Sequence, residues 1–273
     1  MMELKLSARE YLSRGDSYEE KMRYMVEAGY DAIELTGRPD ILEVTDEIAD
    51  ASRNTGCAVS TICSGGRGAL MAAERDQRDI ALEDLNNFLT AAGQIGAAGV
   101  IYAPLIAVKM NPDQYTRLPD LSPLHGRQEL EMTLLAELSD EIAEHAEEHG
   151  VCVLWEPLNR YEQWWFNQLA DGAALCYRVD RPGCRIMADF FHMSIEEDTI
   201  PGALSEYAED YVRHIHLADS NRATPGHGHT DFAAAFAVLD EIGWDGYMAL
   251  ECSPRGDATE DIKRAAQLLR SLA

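Results

Sequence analysis

Residues 185–217 read RIMADFFHMSIEEDTIPGALSEYAEDYVRHIHL, and this stretch decides the fold. Arg185-Ile-Met-Ala188 is a short apolar run closed by Asp189, and Ala203–Tyr211 has helical spacing. Val212–Leu217 is a second short run, with His214 and His216 on one side of a strand. A strand, a helix and a strand in so little chain form a crossover unit, which makes the two strands parallel.

The same unit recurs in both directions. Toward the C-terminus, the spacing predicts a helix over Phe232–Ile242, a strand over Tyr247–Leu250 and a last helix over Thr259–Leu272. Toward the N-terminus, it predicts a strand over Val151–Trp155 with a helix over Gln168–Arg178, and a strand over Gly99–Ala103 with a helix over Gln128–His149. Ala58–Ile62 pairs in this way with Arg75–Ala92, and Asp31–Leu35 with Ile41–Thr55. Glu3–Leu6 pairs with Lys21–Ala28, whose start carries a Ser17…Glu20 capping box and whose end is closed by Gly29. Eight such units in 273 residues suit a closed α/β fold, the (β/α)8 or TIM barrel, as a single domain over residues 1–273. An open doubly wound sheet is the runner-up, but no glycine-rich phosphate turn follows the first strand. One long connection, Leu105 to Arg127, with Pro112, Pro119 and Pro123, follows strand four and reads as a lid or pocket wall.

Lys plus Arg number 23 and Asp plus Glu 48, a net charge of −25. A chain so acidic repels phosphate backbones and anionic membranes, so nucleic acid and membrane are not expected partners. There is no apolar run of transmembrane length, and the charged N-terminus lacks the apolar core of a secretory signal. The six cysteines are scattered without a CxxC pair, and they read as free thiols of a cytoplasmic protein.

Barrel chemistry sits at the C-terminal ends of strands. Glu156 follows strand five, Asp189 strand six and Glu251 strand eight, while strand seven carries His214 and His216 near its end. Three carboxylates at one mouth repel one another unless a cation lies between them, and a divalent metal is the simplest such cation. Carboxylate oxygens with one imidazole nitrogen suit Mn2+, Mg2+ or Co2+, with Mn2+ placed first, and the lack of thiolates argues against structural zinc. Either histidine could be the ligand. His216 is nearer the mouth, and His214, one layer deeper, reads as a core residue.

The motifs Trp155-Glu-Pro-Leu-Asn-Arg-Tyr-Glu162, Asp189-Phe-Phe-His192, His216-Leu-Ala-Asp-Ser-Asn-Arg222 with Pro225–Phe232, and Leu250-Glu251 carry a resemblance. They resemble the xylose-isomerase-like barrel superfamily, in its branch of ketose 3-epimerases and hydroxypyruvate isomerase. The resemblance implies one divalent metal ion held by Glu156, Asp189, His216 and Glu251. It implies that Glu156 and Glu251 are the catalytic acid/base pair and that Glu162, His192 and Arg222 contact substrate. The implied activity is isomerisation or epimerisation of a small ketose or hydroxy-ketone through a metal-stabilised enediolate. An inosose-type dehydratase and a non-catalytic sugar-binding barrel are the alternatives, and homo-oligomer formation is a further expectation. A trinuclear repair-endonuclease site lacks its ligands, because strands three and four end in Thr61-Ile-Cys63 and Tyr102-Ala-Pro104, without histidine. Trp155, Trp164, Trp165 and Phe166, beside Glu162, suit stacking on a sugar or an oligomer contact.

Overall fold

The computed structural model describes residues 3–273. In chain order it runs β1 Lys5–Arg9, α1 Tyr18–Glu27, β2 Ala32–Thr36, α2 Thr45–Thr55, β3 Ala58–Cys63, α3 Arg75–Ile95 and β4 Gly99–Tyr102. Then follow α4 Ile106–Met110, α5 Arg127–Glu148, β5 Cys152–Trp155, α6 Leu169–Val179, β6 Cys184–Asp189, α7 Phe190–Glu196 and α8 Ile200–Tyr211. The chain closes with β7 Val212–Leu217, α9 Phe232–Glu241, β8 Tyr247–Leu250 and α10 Ala258–Leu272. The eight strands are parallel and form a closed barrel in sequence order, β8 returning to β1. The fold class read from the alternation is therefore the observed one.

Local chemistry accounts for the element ends. Ser17 and Glu20 form the anticipated capping box at α1. Asp189 caps α7, Thr199 caps α8 and Asp257 caps α10, each accepting a backbone N–H of the first turn. Gly99 opens β4 where a Cβ would strike the Cys152 carbonyl oxygen, so only glycine lets β4 and β5 approach there.

The main apolar core lies between the sheet and its helices, with Leu85, Phe88, Leu135, Ile142, Phe236 and Leu269 among its buried members. Inside the barrel the lining is divided. Ile101, Leu154 and Met187 make a small apolar plug under β4–β6. Across from it Ser7, Ser60, Thr61, Glu34 and His214 are all buried, and Ser7 and Ser60 share a hydrogen bond of 2.8 Å.

Two expectations change here. The first strand is not Glu3–Leu6 but Lys5–Arg9, so Arg9 stands at the end of β1. The 105–127 connection is not uniform loop, because its start folds into α4. Arg117, farther along, is tied to the buried carboxylate of Glu131 by bonds of 2.6 and 2.9 Å and stacks over Trp164. Among the described residues no helix is long and apolar enough to cross a membrane, and all six cysteines are unpaired.

Candidate metal centre at the barrel mouth

The ends of β5, β6, β7 and β8 bring Glu156, Asp189, His216 and Glu251 together, with one potential ligand atom of each within 4.8 Å of the others. His216, fully buried, is the pivot. Its Nε2 lies 2.9 and 3.1 Å from the two carboxylate oxygens of Glu34. Its Nδ1 faces Glu251 Oε2 at 3.0 Å, Asp189 Oδ2 at 3.7 Å and Glu156 Oε1 at 3.8 Å. Asp189 divides its carboxylate: Oδ1 accepts the N–H groups of Phe191 and His192 at the start of α7, and Oδ2 turns to the cluster.

Sequence reasoning missed two residues of this group. Glu34, buried in the middle of β2, contacts His216, accepts from Thr61 Oγ1 at 2.6 Å and from Arg9 at 3.2 Å, and lies 2.8 Å from His214 Nε2. Arg9 also reaches Glu251 at 3.2 Å. The signal for Glu34 was a lone charge within the otherwise apolar Ala32-Ile-Glu-Leu35. His214 is a buried residue one layer below His216, as expected.

Repulsion among the carboxylates is partly relieved within the chain, because the cluster already contains cations. Arg222 donates to Asp189 at 2.5 Å and to Glu251. Its backbone has φ +60°, unusual for a residue with a side chain, and is clamped by bonds of 2.8 Å to Asp219 and Ser253. Two guanidinium groups, Arg9 and Arg222, face four carboxylates, Glu34, Glu156, Asp189 and Glu251, which leaves two negative charges uncompensated.

Electrostatics shows where that imbalance falls. Burial, with Glu251 and Asp189 close by, pushes the Glu156 carboxyl up to about 8. Burial also raises Glu251, but His216, Arg222 and Arg9 outweigh it and hold that carboxyl below its usual value. His216 is lifted well above the ordinary histidine range, its desolvation overcome by Glu34 and Glu251. Without an added cation the site thus balances itself by protons on Glu156 and His216. The buried Nδ1 of His216 finds no hydrogen-bond partner among the described residues. An orphaned imidazole nitrogen surrounded by three carboxylates, with charge for one divalent ion, fits a metal site.

The cluster floors a cavity of about 320 Å3. Glu162, His192 and Arg222 stand on its wall with Arg9, Glu156 and Glu251, and Asp189 and His216 lie beneath. Ile106 and Ala107 of α4 complete the wall, so the start of the long connection is pocket wall. The tryptophans are placed differently from the expectation of sugar stacking, since none of Trp155, Trp164, Trp165 and Phe166 lines the cavity. Trp155 and Phe166 are core, and Trp165 donates to Glu131. Trp164 is 37% exposed and lies under Arg117, outside the cavity. Tyr102 and Leu158 supply apolar surface instead.

Comparison with known proteins agrees with this architecture. The chain is 33% identical over 236 residues to 3-dehydro-D-guloside 4-epimerase of Escherichia coli, covering 85% of this chain and 86% of that protein. It is 27% identical over 268 residues to a ketose 3-epimerase of Arthrobacter globiformis, covering 93% and 85%. The crystal structure of 3-keto-D-glucoside 4-epimerase from Escherichia coli superposes with a TM-score of 0.87 at 28% identity, covering 98% of this chain and 100% of that one. Residues 22–272 match the family described as xylose isomerase-like TIM barrel, and the chain belongs to that family.

Proposed function

We propose that this protein is a metal-dependent sugar epimerase that inverts a carbon next to a ketone. The observation that carries the reading is the convergence of Glu156, Asp189, His216 Nδ1 and Glu251 on one point beneath a polar cavity. These four would hold one divalent ion, Mn2+ first and Mg2+ or Co2+ next. When bound, such an ion supplies Lewis-acid polarisation of the carbonyl oxygen, which acidifies the neighbouring C–H. The E. coli and A. globiformis relatives are epimerases by name, which supports inversion over aldose–ketose isomerisation.

The remaining chemistry belongs to side chains. Glu156 and Glu251 follow β5 and β8, strands that are not neighbours in the barrel, and both line the cavity. One takes the proton beside the carbonyl, and the other delivers a proton to the opposite face of the same carbon. In the metal-free chain His216, Arg222 and Arg9 hold the Glu251 carboxyl below its usual value while burial raises that of Glu156, so the two carboxylates are electrostatically unequal before an ion binds. Glu162, His192 and Arg222 would hold the sugar hydroxyls. We further propose a single-domain cytoplasmic protein that acts on a small sugar and forms homo-oligomers.

The test is proton NMR of keto sugars recovered after incubation in D2O with protein and divalent metal. A free ketose and a 3-keto-glycoside serve as parallel substrates. The expected result is an inverted stereocentre with deuterium at the carbon next to the ketone, lost in Glu156→Gln and Glu251→Gln variants that still fold. Water loss giving an unsaturated ketone, or full exchange in both variants, overturns the reading.

A further inference from the structure

Asn159 lies between β5 and α6, is 2% exposed, and makes no contact with the four candidate ligands among its hydrogen bonds. Its amide is fully engaged. The Tyr161 N–H donates to Oδ1 at 3.0 Å, which fixes which end of the amide is oxygen. The Nδ2 group therefore points the other way, 2.8 Å from Glu162 Oε1 and 2.8 Å from His192 Nδ1. The backbone N–H of Asn159 also donates to His192 Nδ1, at 3.2 Å.

A backbone N–H can only donate. The nitrogen that receives it must carry a lone pair, and the side-chain amide adds a second donor to the same atom. The proton of a neutral His192 is thereby placed on Nε2. That nitrogen looks into the mouth, 3.7 Å from Asp189 Oδ2 and 4.0 Å from Glu156 Oε1. His192 is itself 2% exposed, so its ring is held in place within the site.

We infer that Asn159 is the positioning residue of the site: one amide fixes the Nε2–H tautomer of His192 and orients the Glu162 carboxylate, registering two substrate-facing groups, one in α7 and one in the β5–α6 connection. This inference rests on the epimerase reading for its catalytic consequence, but its structural half stands alone. The fixed tautomer gives His192 a donor for a substrate oxygen in the cavity. Glu162, held by Nδ2, is left as an acceptor for a substrate hydroxyl.

The test uses protein with 15N-labelled imidazoles and Mg2+ present, because Mg2+ does not broaden the spectra. Long-range 1H–15N correlations report which ring nitrogen carries the proton, and His192→Gln assigns the signal. The wild-type protein is expected to show a bare Nδ1 and a protonated Nε2; a protonated Nδ1 overturns the inference without any variant. Asn159→Asp replaces the donor by a carboxylate and is expected to move a proton to Nδ1. It should lower kcat at least about tenfold while changing KM little. Asn159→Ala keeps the backbone donor, so the signal stays in place while the loosened Glu162 raises KM more than it lowers kcat. An unchanged His192 signal in folded Asn159→Asp, or a moved signal with unchanged kcat, overturns the positioning role. Absence of epimerisation in the wild type as well overturns only the functional reading, since the spectra still decide the tautomer.

Discussion

His216 has two ring nitrogens with opposite tasks. Nε2 is occupied by Glu34, so Nδ1 is the nitrogen presented to the cluster. A carboxylate behind a metal-binding imidazole fixes its orientation and raises its basicity, and removing such a partner costs about 10–100-fold in metal affinity. Glu34→Gln is therefore expected to weaken Mn2+ binding by that order in calorimetric titration, although Glu34 is not one of the four residues that converge at the mouth. An unchanged affinity would show that the imidazole is held by packing alone. A second expectation concerns protons. In the metal-free chain Glu156 sits at about 8 and His216 well above its ordinary value. Both folded-state values are raised, so the metal-free fold loses stability from these groups as pH climbs from the ordinary carboxylate range through about 8. A divalent ion must expel those protons, so metal affinity should rise with pH through about 8, where Glu156 loses its own. Titrations in buffers of different ionisation heat measure the protons released; zero release at neutral pH contradicts the assignment.

At the scale of elements, the long connection between β4 and α5 is secured at one point. The Glu131 carboxylate is 0% exposed and receives both Arg117 and the Trp165 indole N–H. Arg117→Ala leaves that buried charge with the indole alone, a loss of about 3–5 kcal/mol for breaking a buried pair. Thermal unfolding should show the lower stability, and limited proteolysis should find cuts in residues 112–126 that are absent from the parent. Equal resistance would mean that α4, not Arg117, secures the connection. What was legible in the sequence follows the same physics. β7 and β8 were read to the residue because apolar runs bounded by turns mark their ends. β1 was misplaced because Ser7 and Arg9 point into a barrel interior that is polar on this side, where apolar patterning gives no signal. Glu34 was missed for the same reason: a carboxylate reads as solvent-facing until its histidine and arginine partners, far away in sequence, are known. The mouth residues from β5 to β8 are legible because each is a polar residue at or near the C-terminal end of a short apolar run. The tryptophans mislead because they neighbour the pocket residues in sequence, while Trp155 packs in the core, Trp165 donates to Glu131 of α5 and Trp164 lies under Arg117.

On the scale of the whole molecule, charge and metal binding must be separated. A chain with a net charge of −25 draws divalent ions to its surface whether or not it has a site. Surface attraction is screened within about 8 Å at 0.15 M ionic strength, whereas the cluster lies largely buried at the floor of its cavity and is screened less. A specific ion that binds only the folded state stabilises it by about 2.7 kcal/mol at a hundredfold excess over its dissociation constant. For a domain of this size that is a rise of several degrees in Tm. Stabilisation by Mn2+ is thus expected to persist at 0.15 M salt, to be reversed by chelation, and to vanish in Glu156→Gln. That variant has a second effect of its own. Glu156 is the carboxylate with no hydrogen bond to its side chain among the described residues, so neutralising it relieves repulsion from Glu251 and Asp189. The metal-free variant should therefore melt no lower than the metal-free parent, and above it at alkaline pH. A Mn2+ effect that disappears at 0.15 M salt in the parent, or survives in Glu156→Gln, would place the bound ion on the acidic surface and leave the barrel mouth without its metal.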